Sequence, residues 1–134
     1  MKYKIEKASE NSVKEWRAKS KIDLRERLLN FSVNVIQFLS SLPLKREYEV
    51  LRIQLSKSAT SIGANYEESQ YSTYREFSAK IRIVMREAVE TQYWLKIINE
   101  MQIRDDEERI TLINEINEIT RIFGSILSKL KPSN

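Results

Sequence analysis

The stretch FSAKIRIVMREAVETQYWLKII, residues 77–98, decides the fold. Phe77, Ile81, Val84, Ala88, Thr91, Leu95 and Ile98 recur at steps of three and four, the spacing that lays side chains along one face of an α-helix. A second apolar set, Ile83, Met85, Val89, Tyr93, Trp94, Ile97 and Met101, falls on flanking faces. A helix in a lone four-helix bundle needs only one apolar stripe, so this helix is expected to meet a neighbour outside its own bundle. Ile83, Val89, Tyr93, Trp94 and Ile97 are the candidate subunit contacts.

The same reasoning extends outward in both directions. Thr73 with Glu76 has capping-box spacing and opens this helix, expected over 73–102. Upstream, Tyr48, Leu51, Leu55, Ser58, Ile62 and Asn65 or Tyr66 line up in a helix over 44–69, whose second half, SKSATSIGAN, is small enough for close helix packing. Leu24, Leu28, Phe31, Val35, Phe38 and Leu42 mark a first helix over 23–41, with Asp23 and Glu26 as its capping box and Pro43 ending it and opening the next. Downstream, Asp105 and Glu108 introduce a helix over 106–131 with the line Leu112, Ile116, Ile119, Phe123, Ile126 and Leu130. Residues 1–21 read as a basic arm, 22–131 as one domain and 132–134 as a tail. Four long helices with short connections predict an all-α, antiparallel up-down-up-down bundle.

Composition removes most catalytic chemistry. The 134 residues contain no Cys and no His, so disulfides, thiolate or imidazole metal sites and the Ser-His and Cys-His nucleophile pairs are absent. Two Gly and two Pro leave no glycine-rich phosphate cradle. Glu87 with Glu90 and Glu115 with Glu118 have the three-residue spacing of di-iron carboxylates, but those sites draw on Glu-x-x-His pairs, so charged helix faces are the reading. No cofactor, metal or catalytic residue is expected. The charged N-terminus and the absence of a long apolar run predict a cytoplasmic protein with no membrane segment.

Two polar sets remain. A hairpin turning near residues 71 and 72 would bring Arg52 opposite Glu90 as a salt bridge and Glu87 near Ser56. Arg75, Arg82 and Arg86 share one face of the third helix, with Lys80 nearby. They could follow a phosphate backbone, although a basic stripe is more often simply a solvated face. The arm adds Lys2, Lys4, Lys7, Lys14, Arg17 and Lys19. Residues 1–21 hold seven Lys or Arg and three Glu, a balance of +4, while the remaining 16 basic and 16 acidic residues cancel.

The stretches LRERLLNFSVNVIQFLSSLP (24–43), LRIQLSKSATSIGANYEESQ (51–70) and residues 77–98 contain Gln54-Leu55 with Ser58, then Ser61-Ile62-Gly63-Ala64-Asn65, Phe77, Glu87-Ala88, Glu90-Thr91 and Tyr93-Trp94-Leu95. In these the chain resembles the four-helix-bundle family of 23S rRNA intervening-sequence proteins. The likeness runs from residue 24 to about 101; the last helix shares only its general pattern, and the arm before Ile22 lies outside it. The resemblance implies a cytoplasmic bacterial bundle without enzymatic activity that forms a ring, most often a homopentamer. It further implies that Asn65 and Glu87 are hydrogen-bonded structural groups near an interface. A related protein, the accessory variability determinant of diversity-generating retroelements, has the same fold and uses a basic pentamer to bind a reverse transcriptase and nucleic acid. Two functions are therefore expected to compete: binding of structured RNA or other nucleic acid, and a scaffold ring that docks a partner protein.

Overall fold

The computed structural model describes residues 10–104 and 106–130. Helix α1 spans Glu10–Ser40, α2 Glu49–Ser69, α3 Tyr74–Glu100 and α4 Asp106–Lys129, with one 3-10 turn, Arg46–Tyr48, ahead of α2. No strand occurs among the described residues. Helix α1 packs on α2, α2 on α3 and α3 on α4, and the ring of contacts closes with a much slighter one between α1 and α4. The result is a four-helix bundle.

The apolar lines become the core. All seven residues of the α3 line are buried. So are Leu24, Leu28, Phe31, Val35, Phe38 and Leu42 from the first line, and Leu112, Ile116, Ile119, Phe123 and Ile126 from the last. Tyr66 and Phe123 meet edge to face with ring centroids 5.6 Å apart, joining α2 to α4 across the interior. The small side chains of α2 do bring backbones together: a Cβ placed on Gly63 would lie 3.6 Å from the Leu28 Cβ and 3.7 Å from its carbonyl oxygen. The Thr73 capping box forms as expected, with the Glu76 amide donating to Thr73 Oγ1 at 3.2 Å and the Thr73 amide to Glu76 Oε1 at 3.0 Å.

The helix starts are corrected in two places. Helix α1 begins at Glu10, so Asp23 lies inside it and residues 10–21 are helical instead of forming an arm. No Gly or Pro precedes Pro43, and nothing interrupts the backbone hydrogen bonds at the Asp23 and Glu26 spacing. Arg25 Nε donates to Glu67 at 2.7 Å, and α2 ends two residues later. Residues 10–22 of α1, about 20 Å at 1.5 Å per residue, thus have no level partner in α2. Helix α2 begins at Glu49, later than expected, because the Arg52 guanidinium donates to the carbonyls of Leu42 (2.8 Å) and Pro43 (2.6 Å). Those oxygens are thereby bonded to a side chain while the chain turns. Asp105 lies outside the described residues, and Glu108 pairs with Arg104 at 2.6 Å.

The register of α2 against α3 also differs. The Ser58 and Thr91 hydroxyls are hydrogen-bonded at 2.8 Å inside the core, and Lys80 Nζ reaches Glu68 at 2.7 Å. These contacts put Arg52 level with the neighbourhood of Lys96, about 9 Å beyond Glu90. The expected Arg52 to Glu90 bridge is therefore absent. Arg52 instead serves the end of α1 and pairs with Glu49 at 3.1 Å, while Glu90 accepts from Trp94 Nε1 at 3.2 Å.

Removing the Thr91 hydroxyl takes away the bond between the helices and leaves Ser58 Oγ only the Leu55 carbonyl at 3.4 Å, so Thr91→Val should lower unfolding free energy by about 0.5–1.5 kcal/mol. Adding Ser58→Ala should cost less than the sum of the two single changes, measured as a double-mutant cycle in urea.

Candidate nucleic-acid interface

The Thr73 cap fixes where α3 starts and hence the phase of every residue behind it. At 100° per residue, Arg75, Arg82 and Arg86 fall within about 40° of one another, on the side opposite the buried line. Arg75 and Arg86 are exposed and Arg82 is half-buried, with Nη1 donating to Ser78 Oγ at 2.6 Å. None of the three has a carboxylate partner among the described residues. Most other arginines are engaged: Arg25 with Glu67, Arg27 with Glu115 (2.7 Å), Arg104 with Glu108, and Arg121 with Glu118 (3.0 Å). Pairing with Glu67 raises the Arg25 pKa further above its ordinary value. Lys80 does not join the arginine face, since its phase turns it toward α2 and Glu68.

The arginine face continues into the candidate subunit contacts. Val89 (50% exposed) and Tyr93 (58%) lie on the same stripe further along α3, while Ile83, Trp94 and Ile97 are half-buried on its α2 side. The Tyr93 and Trp94 rings meet edge to face at 5.3 Å. Arg82 and Arg86 flank a groove of about 770 Å³ whose apolar wall is Ala79, Ile83, Met85 and Val89 of α3 with Leu127 of α4. Arg75, Arg82, Arg86, Val89 and Tyr93 thus form one strip, basic first and apolar further along, with Ile83 beside the arginines.

The other polar candidates sit apart from it. Asn65 is half-buried and its amide donates to the Ser61 carbonyl at 2.8 Å, one turn back in α2. Glu87 is half-buried beside α2; burial raises its carboxyl pKa, and the Glu90 carboxylate adds to this, against smaller opposing effects of Lys57 and Arg86. Of the N-terminal cations, Lys14, Arg17 and Lys19 lie on the backbone of α1, and Lys2, Lys4 and Lys7 fall outside the described residues. No group of three potential metal-ligating side chains occurs among the described residues, nor does any helix there have the length and apolarity to cross a membrane.

One important side chain escaped the sequence reading. Arg109 is only 4% exposed, and its guanidinium donates to Asn99 Oδ1 (2.9 Å) and to the carbonyls of Ile103 (3.3 Å) and Arg104 (2.9 Å). It ties down the α3–α4 connection, where Gln102 and Arg104 adopt left-handed φ values of 51° and 68°. The signal was its phase: Arg109 precedes Leu112 by three on the buried line of α4.

A family model described as 23S rRNA-intervening sequence protein matches residues 20–125. The chain belongs to this family. Among solved structures, the intervening-sequence protein fold is shared with a crystal structure from Bacteroides thetaiotaomicron, a protein of unknown function from the S23 ribosomal protein family. The two have a TM-score of 0.70 and 29% identity over 77% of this chain and 96% of that one. No curated protein matches the chain.

Because the Glu87 carboxyl titrates higher folded than unfolded, its protonated form favours the native state. That contribution is present below the ordinary value of 4.5 and is lost as pH rises through the folded pKa. Glu87→Gln should raise the thermal midpoint at pH 7 relative to pH 4, removing the loss of stability that ionisation of Glu87 is expected to cause in the parent protein.

Proposed function

We propose that this member of the intervening-sequence protein family is a cytoplasmic, non-enzymatic scaffold: antiparallel up-down-up-down bundles joined in a closed ring that binds structured RNA through basic surface. The observation that carries the nucleic-acid part is the alignment of Arg75, Arg82 and Arg86 on one outward face of α3 without an ion-paired carboxylate among the described residues. Guanidiniums already neutralised by glutamates have little to offer a phosphate; these three keep their charge for an anion. The N-terminal lysines and arginine add to the same field, and assembly multiplies both.

The ring is supported by where exposed apolar residues lie. On α3 they are Val89 and Tyr93; on α1 they are Leu29 (61% exposed), Val33 and Ile36, which recur at four and three. Helices α1 and α3 do not neighbour each other in the bundle, so the two patches look in different directions. A contact of one patch with the other is heterologous, and heterologous contacts close into rings when the rotation allows. The family resemblance favours five subunits. The absence of Cys and His from the whole sequence is why the scaffold is read as non-enzymatic.

Light scattering at micromolar concentration should give about five times the 15.9 kDa chain mass, and a monomer mass would reject the ring. Affinity for a structured RNA should fall steeply between 50 and 200 mM salt, with a log-log slope reduced by about one for each arginine removed. Replacing Arg75, Arg82 and Arg86 together by Gln should weaken binding at least tenfold while leaving the oligomer mass unchanged. Equal RNA affinity in the triple variant would reject the arginine face.

A further inference from the structure

The groove beside Arg82 and Arg86 offers more than a phosphate needs. It measures about 770 Å³, its walls include Met85 and Val89 of α3 and Leu127 of α4, and the two guanidiniums are the only charges that line it. No carboxylate lies in its wall, and neither arginine has an ion-paired carboxylate among the described residues. Its complement therefore carries negative charge and an apolar surface side by side.

Gly124 marks the same place. It sits in the interior of α4, where glycine weakens a helix relative to alanine. Packing in the bundle does not require it: a Cβ there would meet only Met85 Cε, at 3.9 Å, an ordinary contact. Gln92 bonds to Asn117 and Thr120, a register that sets Gly124 level with Arg86. The missing side chain thus keeps the α3–α4 side of the groove open beside a guanidinium, where a ligand can approach the backbone closely.

Three kinds of occupant meet these demands differently. The exposed α1 stripe of a second copy, Leu29, Val33 and Ile36, brings apolar surface without charge, since residues 27–46 contain no Asp or Glu. Seating it here would strip water from two guanidiniums and give them no counter-charge. A duplex brings charge without apolar surface, because its bases are stacked inside and its phosphates and sugars face outward. An unpaired nucleotide brings both, a flat base and a phosphate on one residue.

We propose that the α3–α4 groove takes an unpaired base from a loop of the bound RNA, its ring against Met85, Val89 and Leu127 in the space that Gly124 leaves, and its phosphates on Arg82 and Arg86. This rests on the arginine face being an RNA surface, and it narrows the ligand from any folded RNA to one with an unpaired segment.

The probes are an RNA hairpin with a six-uridine loop and a blunt duplex of the same stem. Each is titrated into the full-length protein at about 100 mM salt and followed by anisotropy and by side-chain methyl resonances. The hairpin should bind at least tenfold more tightly than the duplex, and it alone should shift the methyls of Met85, Val89 and Leu127. Gly124→Leu should raise the thermal midpoint, because leucine is the better helix former, yet weaken hairpin binding at least fivefold with duplex affinity and oligomer mass unchanged. A purely structural role for Gly124 would not move stability and affinity in opposite directions. Equal affinity for the two RNAs, unshifted methyls in the parent protein, or a folded Gly124→Leu variant with parental hairpin affinity overturns the proposal. So do shifts of the same methyls on dilution of RNA-free protein, which would give the groove to a second copy. Binding of neither RNA removes this reading together with the arginine face, whereas equal binding of both, lost in the Arg75, Arg82 and Arg86 triple variant, removes this reading alone.

Discussion

One buried hydrogen bond, between the hydroxyls of Ser58 and Thr91, sets the register on which the bundle depends. Helices α2 and α3 make its most extensive contact, and an apolar interface alone tolerates slippage by a turn. A pair of hydroxyls does so less readily, because a slip loses the bond between them and leaves each only the carbonyl of its own helix, Leu55 at 3.4 Å and Glu87 at 2.8 Å. At the next position of α3, Gln92 donates to Asn117 and Thr120, so the same level also locks α4. Polar contacts at one height therefore tie three helices, with Leu, Ile and Phe filling the space above and below.

With that height fixed, the outer surface of α3 is fixed too. Arginines come at the beginning of its exposed stripe and Val89 and Tyr93 towards its end, so the helix divides its outward side by length and not by angle. The proposed subunit contact and the proposed RNA contact then need not compete for the same side chains. The seam at α1 and α4 is the reverse case: a loose contact, bridged by the bidentate pair of Arg27 and Glu115, with amides where a tight seam would carry apolar residues.

How far the sequence could be read follows from the kind of force involved. Burial is periodic, so the core line of α3, the first line from Leu24 to Leu42 and the buried part of the α4 line from Leu112 to Ile126 could be named residue by residue. Register is not periodic; it depends on how the chain climbs between Ser69 and Tyr74, and an assumed midpoint put Arg52 about six residues away from its true level. Polar side chains that bond to carbonyls, as Arg52 does at Leu42 and Pro43 and Arg109 at Ile103 and Arg104, leave no mark in charge spacing, because their partners are backbone atoms that every residue has. Capping boxes were informative only with supporting context: Thr73 follows a real break, whereas Asp23 stands within an uninterrupted helix.

That uninterrupted helix has a consequence of its own. Since α1 runs from Glu10 into the packed part of the bundle without a break, the helical phase of positions 14, 17 and 19 follows from that of Leu24 and Leu28. Inserting a single residue near Ile22 would swing the whole stretch by about 100°, while four would return it to within about 40° of where it began. Insertions there should be tolerated in a pattern that follows the helical turn, as along a screw thread, where a flexible tether would be indifferent to their number.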